Sequence, residues 1–407
     1  MTTEQRAALA RARGATATSA QVLTTRLLGA MVALYIGWSL LFSNLPGLSR
    51  VPHAAILVAF VLLLVRSTQA PLRLRLDSVP PLGALFVAYA CASVLWSFDQ
   101  SAALVSAIGL AFDLFGAVVV WAALQNGVSL RLVVLTTAVA ATVQGGVGIY
   151  QSLTLGEARA VGLTGNPNSL AIQLSLAAFL LLLALPRNRW AGLLAAAFIV
   201  VATLTTGTRK LVFVWFAYIM VLARDFFPSF LRPSLGTALA LLAAPVVVWA
   251  SLTYGETLTG PLNEVAFVDR LEMTLEGRET AKRSAMMVDG LEVWWRAPLF
   301  GHGIDQYRYV GSFTTYSHNN YVELLANLGV VGTALYYVLF AVLGYRAARG
   351  VIAGQRSAWV VLAVLVVYLL MDVARVSYSG RTTWLYLLLL AHVLAEPPGS
   401  ARPADAA

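Results

Sequence analysis

The chain has 407 residues, of which 59% are apolar and only 12% are charged, and its formal net charge is +9. One core could not bury so many apolar side chains, so the composition excludes a soluble globular protein. A single cysteine excludes a disulfide scaffold, and the apolar content excludes a disordered chain. The composition predicts an all-α polytopic membrane protein, because helices satisfy their own backbone polar groups in lipid.

Apolar stretches that can cross ~30 Å of hydrocarbon recur along the whole chain. We predict about twelve transmembrane helices, over residues 23–43, 51–65, 79–97, 102–124, 130–152, 168–185, 190–206, 210–223, 234–253, 319–345, 357–374 and 381–395. The predicted organisation is a cytoplasmic tail (1–22), nine helices (23–253), one large extracytoplasmic helical loop (254–317), three helices (318–395) and a cytoplasmic tail (396–407).

The basic residues predict the orientation, since cytoplasmic loops carry an excess of arginine and lysine. With the N-terminus inside, the cytoplasmic segments contain Arg6, Arg11, Arg13, Arg26, Arg66, Arg73, Arg75, Arg131, Arg187, Arg189, Arg224, Arg232, Arg346, Arg349, Arg356 and Arg402. The short outer loops contain only Arg50, Arg159, Arg209, Lys210, Arg375 and Arg381. This bias predicts that both termini are cytoplasmic, and it explains the basic surplus without a nucleic-acid partner.

The long outer loop is predicted to be helical between Asp269 and Pro298. Its apolar residues on roughly one side are Met286, Met287, Leu291, Trp294 and Trp295. An amphipathic, tryptophan-bearing segment beside a membrane is expected to lie along the interface. Polar chemistry is therefore expected on the outer face.

The segment Thr205–Lys210 is a polar outer turn in front of the eighth predicted helix. Arg209 and Lys210 stand where that helix begins, and basic side chains beside free helical N–H groups suit a phosphate. The structural alternative is a pair of interfacial anchors that reach the lipid headgroups.

The segment Tyr316–Glu323 ends the long loop and opens the tenth helix. His318 and Asn319 lie near the predicted cap, and histidine, which titrates near neutrality, can take a proton from a hydroxyl. The structural alternative is a helix cap at a solvated interface.

The segment Gly162–Asn168 leads into the sixth helix, where Asn168 after Pro167 is typical of a helix start. The amides of Asn166 and Asn168 could also hold sugar hydroxyls, although a cap is sufficient to explain them.

Two carboxylates, Asp113 and Asp372, fall inside or near predicted spans. They could carry protons, or they could pair with Arg131, Arg375 or a backbone group.

Several patterns are absent from the sequence: an Asp-x-Asp pair, a His-x-x-x-His pair, a Walker loop and a cysteine pair. We therefore expect neither a metal ion nor a nucleotide, and no cofactor. The chemistry would then depend on arginine, histidine and amides.

Four segments occur in a recognisable order. They are Gly162–Ala171 (GLTGNPNSLA), Thr206–Arg209 (TGTR), Arg283 followed by Pro298–Gly303 (PLFGHG), and His318–Leu325 (HNNYVELL). Together they resemble the O-antigen ligase and O-antigen polymerase superfamily of polytopic membrane glycosyltransferases. The resemblance covers about residues 140–345, and the first 130 residues match only in hydropathy.

The resemblance implies a metal-independent transfer of a glycan from a polyprenyl (undecaprenyl) diphosphate carrier to an acceptor hydroxyl of a glycan or glycolipid. It places the reaction on the outer face of the bacterial inner membrane, with inversion at the sugar. Arg209 and Arg283 would bind the diphosphate, and His318 would deprotonate the acceptor. Further substrate contacts are assigned to Lys210, Arg278, Asn166, Asn168, Asn319, Asn320, Tyr321 and Glu323.

The chain also departs from the family pattern. The family arginine usually follows a serine and precedes a small residue, whereas Arg209 lies between Thr208 and Lys210. Arg278 competes with Arg283 as the loop arginine, and the spacing to the Pro298–Gly303 turn favours Arg283.

Two other functions remain open at this point. One is a polymerase of the same superfamily that joins repeat units by the same chemistry. The other is a transporter or flippase of lipid-linked glycans, in which Arg209 and His318 would line a path. Paired broken helices in inverted repeats would indicate the transporter. No such symmetry is visible, although Gly145–Gly148 offers one break.

The absence of metal-binding patterns gives the first testable prediction. Treatment of the purified protein with a chelator such as EDTA is expected to leave the transfer rate unchanged. Strong inhibition that added Mg²⁺ or Mn²⁺ reverses would contradict this prediction.

Overall fold

A computed structural model describes residues 19–42, 48–74, 77–156, 159–184, 198, 201–208, 211–226, 278–373 and 375–395. Within these ranges the chain forms helices and no β-strand. The helices are α1 Ser19–Leu41, α2 Val51–Gln69, α3 Val79–Ala92, α4 Gln100–Gln125, α5 Leu130–Thr154, α6 Pro167–Ala184, α7 Leu211–Phe226, α8 Arg278–Arg296, α9 Tyr307–Val310, α10 Asn320–Ile352, α11 Arg356–Asp372 and α12 Arg381–Ala395. Short 3-10 turns, Leu48–Arg50 and Ser93–Trp96, precede α2 and extend α3.

Six of the described helices are long and apolar enough to cross a membrane: α1, α2, α3 with its 3-10 extension, α4, α5 and α10. They coincide with six predicted spans, and the chain is a multi-pass membrane protein. The shorter helices α6, α7, α11 and α12 occupy four further predicted spans. The predicted helices 190–206 and 234–253 lie largely or wholly outside the described residues, as does loop segment 254–277.

The helix α12 lies at the centre of the described bundle. Its side chains from Thr383 to Val393 are all buried, as expected for a helix that is apolar on every side. It packs against α3, α4, α10 and α11.

Asp113 is paired with Arg381 from α12, and not with Arg131 as the sequence suggested. The Arg381 Nε atom lies 2.9 Å from Asp113 Oδ1, and Arg381 Nη2 lies 3.0 Å from His53 Nε2. Charged groups in hydrocarbon require such partners, so this cluster ties α12 to α4 and α2. The pairing spans more than half of the chain, which is why local spacing did not predict it.

Asp99 begins α4 and connects it to the segment that precedes α9. Its carboxylate accepts the Ala102 N–H (2.9 Å), which holds the pKa of Asp99 below its ordinary value. The backbone N–H of Asp99 donates to Gln306 Oε1 at 2.7 Å. The α4 start therefore lies beside the region Gly303–Gln306.

The helix α8 packs one face against α10, while part of the apolar side singled out in the sequence is exposed. Met286 and Val293 are buried, with Gly290 between them at helical spacing, whereas Leu291 and Trp295 are exposed. Gly290 lies against Val322, so this face packs on the first turn of α10. The sequence analysis expected the apolar side of this helix along the membrane interface and named no face that packs on protein, so the close contact through Gly290 comes from the structure alone.

The helix α10 is interrupted at Gly329, whose φ of 65° and ψ of −170° are not helical. Such a break leaves carbonyls before it and N–H groups after it without partners in the helix. The turn Pro298–Gly303 supplies these partners through four backbone hydrogen bonds: His302 N to Ala326 O (3.1 Å), Gly303 N to Asn327 O (2.7 Å), Val330 N to Pro298 O (2.9 Å) and Val331 N to Leu299 O (3.2 Å). The Tyr89 hydroxyl donates to the Leu328 carbonyl at 2.9 Å. The predicted span 319–345 is therefore two helical pieces joined by a filled break.

Two glycines make this backbone-to-backbone contact sterically feasible. Gly301 and Gly329 both have positive φ, at 68° and 65°. A Cβ atom at Gly301 would collide with the Asn327 carbonyl group, and one at Gly329 would collide with the Leu299 carbonyl. Because the colliding atoms are backbone, no side-chain rotation can relieve the overlap.

We predict that Gly301→Ala destabilises the protein by about 3 kcal/mol or more, from the positive φ and from lost backbone hydrogen bonds. The measurement is the apparent melting temperature of the purified protein in detergent. Gly344→Ala, at a helical position with no atom within 4 Å, should leave the melting temperature unchanged or raise it slightly. Gly354→Ala, at φ 79° but in open space, isolates the cost of the positive φ alone. If Gly301→Ala and Gly354→Ala lowered the melting temperature by the same amount, the predicted collision at Gly301 would be wrong.

Candidate active site

His318 has a left-handed backbone conformation, with a φ of 59°. Residues other than glycine adopt this region rarely, at a cost of about 1–2 kcal/mol. Its two neighbours are held firmly: the Ser317 N–H donates to Glu323 Oε2 (2.6 Å), and the Asn319 side chain accepts the N–H groups of Tyr321 and Val322. The His318 ring is half-buried and lies 4.3 Å from the Tyr316 ring, centroid to centroid. The backbone on both sides therefore determines the conformation of His318.

The carboxylate of Glu323 anchors this arrangement. Glu323 is 2% exposed, and its second oxygen accepts a hydrogen bond from Asn327 Nδ2 at 3.1 Å. Asn327 in turn accepts the Tyr307 N–H (2.6 Å) and donates to the Tyr378 hydroxyl (3.2 Å). Glu323 and Asn327 thus join the residue before His318 to α9 and to the loop before α12.

Asn320 connects the start of α10 to the loop between α11 and α12. Its Oδ1 accepts the N–H groups of Ser377 (2.8 Å) and Tyr378 (3.1 Å), and its Nδ2 lies 3.1 Å from Asp372 Oδ2. Asp372 therefore pairs with Asn320, and also accepts from the Tyr337 hydroxyl at 2.9 Å. These contacts place the loop that carries Arg375 directly beside the start of α10.

Tyr321 points away from this network. Its hydroxyl donates to the Leu369 carbonyl (2.8 Å), and its ring stacks on Tyr337 at a centroid distance of 4.9 Å. Tyr321 thereby fastens α10 to α11.

Sequence reasoning did not single out Asn327, Ser377 or Tyr378, which complete the network around His318. One signal was available for Asn327, a polar residue inside a predicted span and four residues after Glu323. No local signal marked Ser377 and Tyr378, because their partners lie more than fifty residues away.

The segments Gly162–Asn168 and Thr205–Thr208 contact each other. The Ala160 N–H donates to the Thr205 carbonyl (2.9 Å), and the Thr208 hydroxyl donates to Asn168 Oδ1 (3.3 Å). Asn166 caps α6, since its Oδ1 accepts the Asn168 N–H at 2.9 Å. Of the two predicted amides, Asn166 serves its own helix and Asn168 binds the neighbouring turn.

Arg209 and Lys210 lie outside the described residues, between Thr208 and the start of α7. The position of Thr208 nevertheless places the beginning of that turn beside Asn168.

Arg283 and Arg278 lie at different angles on α8. Arg283 is exposed and stands seven residues before Gly290, about 10 Å along the axis and within about 20° of the same face. The backbone position of Arg278 is rotated by about 120° from that face, and its side chain lies outside the described part of the chain. Because Gly290 packs on Val322, the Arg283 position shares the face that α8 turns toward the start of α10.

The helix α11 packs both against the helix that carries the His318 network and against the helices that follow the Gly162–Asn168 and Thr205–Thr208 segments. It contacts α10 and also α6 and α7, and the Arg356 Nη1 group donates to the Leu182 carbonyl of α6 at 3.0 Å.

Among the described residues, no group of three His, Cys, Asp or Glu side chains could hold a metal ion.

Comparison with known proteins gives one match. A family model described as O-antigen ligase matches residues 168–337, and no curated protein matches the chain. The matched range includes the end of the first resembling segment and all of the other three. It also includes α8, the Pro298–Gly303 turn and the part of the His318 network between Tyr307 and Asn327. The chain is therefore related, through residues 168–337, to the O-antigen ligase and polymerase superfamily, as the four segments indicated.

Proposed function

We propose that this protein is an O-antigen ligase-like glycosyltransferase that moves a glycan from a polyprenyl diphosphate carrier to an acceptor hydroxyl. The observation that carries the proposal is the enforced left-handed conformation of His318, within the range that matches the family. Strained backbone that its surroundings maintain is typical of functional sites, because it fixes the direction of a side chain. Here the fixed side chain is an imidazole, which can accept a proton near neutral pH.

In the proposed step, the acceptor oxygen attacks the anomeric carbon while the bond from that carbon to the diphosphate oxygen breaks. The leaving diphosphate keeps the bonding electrons, and the acceptor proton passes to His318. Attack opposite the leaving group inverts the anomeric centre. General base catalysis of this kind contributes about 10²–10⁴-fold.

Fixed guanidinium groups would stabilise the charge on the leaving diphosphate, because bidentate arginine matches phosphate geometry. We assign this role to Arg209 and Arg283, with Lys210 adding positive charge. The helical register supports Arg283 over Arg278, since only the Arg283 position shares the face that approaches the start of α10. Arg375, on the loop that Asn320 holds, is a further cation at this end of the molecule.

The predicted substrate contacts divide into two groups by their described partners. Asn319, Asn320, Tyr321 and Glu323 bind other protein groups, and we propose that they position His318 and the loop of Arg375. Asn166 and Asn168 lie at the turn beside Thr208, where sugar hydroxyls would approach the diphosphate.

An apolar cavity of about 670 Å³ supports a polyprenyl carrier. It is lined by Tyr89, Trp96 and the segment Ala297–Gly301, so it adjoins the turn that fills the α10 break. Trp96, Leu299 and Phe300 are each more than two-fifths exposed. An isoprenoid chain in this cavity would bury apolar surface, at about 25 cal/mol per Å².

We further propose that the protein resides in the bacterial inner membrane with both termini in the cytoplasm and the active site on the outer face. Labelling of cysteines introduced one at a time at Tyr316 and at Arg131, in a Cys91→Ser background, would test this orientation. Only the first should react with a membrane-impermeant maleimide added from outside.

The deciding experiment incubates the purified protein with a carrier-linked glycan and separate acceptors. Transfer to a glycolipid core supports a ligase, and lengthening of a carrier-linked glycan indicates a polymerase. Movement of intact carrier across liposomes without transfer would indicate a transporter. Among the described helices, α10 is the one with an internal break, and protein backbone fills it, so this break provides no transport path.

We predict that Arg209→Ala lowers the transfer rate about 10²–10³-fold at normal protein level, because a donor to the leaving group is lost. Arg209→Lys should recover little of the rate, since lysine lacks the bidentate fork. The matched control is Arg131→Ala, an exposed arginine at the start of α5. An Arg209→Ala rate within twofold of the control would remove Arg209 from the site.

We predict that His318→Ala, His318→Asn and His318→Gly all slow transfer about 10²-fold or more. Asparagine and glycine tolerate positive φ, so these two variants preserve the backbone while they remove the imidazole. Melting temperatures should fall for the alanine variant only. Recovery of the wild-type rate in His318→Gly would show that the site needs the turn and not the base.

A further inference from the structure

A second cavity, which has polar residues in its lining, lies at the other end of the bundle. It encloses about 380 Å³ and is lined by Arg66, Ala70–Arg73 and Gln125–Gly127, where α2 and α4 end. This volume is within the range of small-molecule sites, roughly 300–1,000 Å³.

Two independent connections show that this cavity is remote from His318. The helical segment Val79–Trp96 has 18 residues and is therefore about 27 Å long. It begins a few residues after Arg73, which lines the cavity, and it ends just before Asp99, which contacts Gln306 near the His318 network. In addition, Arg346, near the far end of α10, forms an ion pair with Asp77. The cavity therefore lies at the opposite end of the described bundle from His318.

Among the described residues, the arginines of the cavity offer guanidinium donors without an acceptor. The Arg66 Nε and Nη1 atoms are buried and have no hydrogen-bond partner, and the Arg73 side chain makes no hydrogen bond with described residues. Asn126 fixes the backbone of Arg73, since it accepts the Arg73 N–H (3.0 Å) and donates to the Arg73 carbonyl (3.3 Å). The site thus combines a fixed loop with guanidinium donors that lack an acceptor.

Neutralisation of helix C-termini does not explain these arginines. Basic side chains commonly serve that purpose by donating to the last carbonyls of a helix. The buried Arg66 nitrogens make no such bond, although the ends of α2 and α4 both line the cavity. A buried guanidinium without an acceptor is costly, so an external anion is the natural partner.

The surroundings indicate what kind of anion this is. Arg66 lies in the last turn of a candidate membrane span, the depth at which phospholipid phosphates occur. On α2, the side chains of Val58, Val61 and Val65 are 47%, 55% and 41% exposed and form a stripe that leads to this turn. Acyl chains can follow this stripe while the headgroup enters the cavity.

We propose that Arg66 and Arg73 bind the phosphate of an anionic phospholipid headgroup at the membrane face opposite the active site. The site acts as a lipid-binding anchor for the α2 and α4 ends. It does not depend on the proposed transfer reaction.

The test uses native mass spectrometry of the purified full-length protein in detergent. Phosphatidylglycerol, phosphatidylcholine and inorganic phosphate are titrated separately. The wild type is expected to retain phosphatidylglycerol in preference to phosphatidylcholine. The double variant Arg66→Gln/Arg73→Gln should bind phosphatidylglycerol about tenfold more weakly or worse. The charge-matched control is Arg131→Gln/Arg349→Gln, two exposed arginines, and it should bind as the wild type does.

Equal retention of phosphatidylglycerol by the wild type and the Arg66/Arg73 variant would overturn the proposal, as would an equal loss in the control. If inorganic phosphate saturated the site in the same concentration range, the site would bind free phosphate, and the proposal that a lipid occupies it would be wrong. Circular dichroism verifies that each variant is helical. If the double variant does not fold, Arg66→Lys keeps the charge with fewer donors, and unchanged binding there would also contradict the site.

Discussion

The structure depends on one contact between two stretches of backbone. The turn Pro298–Gly303 inserts at the break of α10 and satisfies the carbonyl and N–H groups that the break exposes. Unpaired backbone groups are costly in a buried or membrane setting, so the break and the turn require each other. Glycine is necessary at positions 301 and 329 because the two backbone segments approach too closely for a Cβ atom.

This contact determines where the chemistry can lie. The first piece of α10 carries Asn320, Glu323 and Asn327, and the position of that piece follows from the break. Glu323 then holds the Ser317 N–H, directly before the left-handed backbone of His318. Breaking the contact at Gly301 should therefore disturb the proposed base as well as the fold.

Two carboxylates of the bundle are held by partners from other helices. Asp113 is paired with Arg381, and Asp372 with Asn320 and Tyr337. The first pair connects α4 to α12 and the second connects α11 to α10, because an isolated charge in hydrocarbon is unfavourable. Two guanidinium nitrogens of Arg66 lack such a partner, and together with the cavity around them they carry the lipid-binding proposal.

The sequence by itself determined the all-helical, multi-pass character, the places of six spans and the similarity of residues 168–337 to the O-antigen ligase family. The length of apolar stretches and the order of short motifs can be read from the sequence without three-dimensional information. It also placed His318 and Asn319 near the start of a helix, because a cap is a local structure, and Asn319 is the N-cap of α10.

Only the tertiary structure decided the partner of Asp113, the buried face of α8, the break at Gly329 and the roles of Asn327, Ser377 and Tyr378. Each of these depends on contacts between residues far apart in the chain, or on how closely two backbones approach. Sequence spacing carries no information about such distances, since packing across helices is selected by shape and by the need to satisfy buried polar groups.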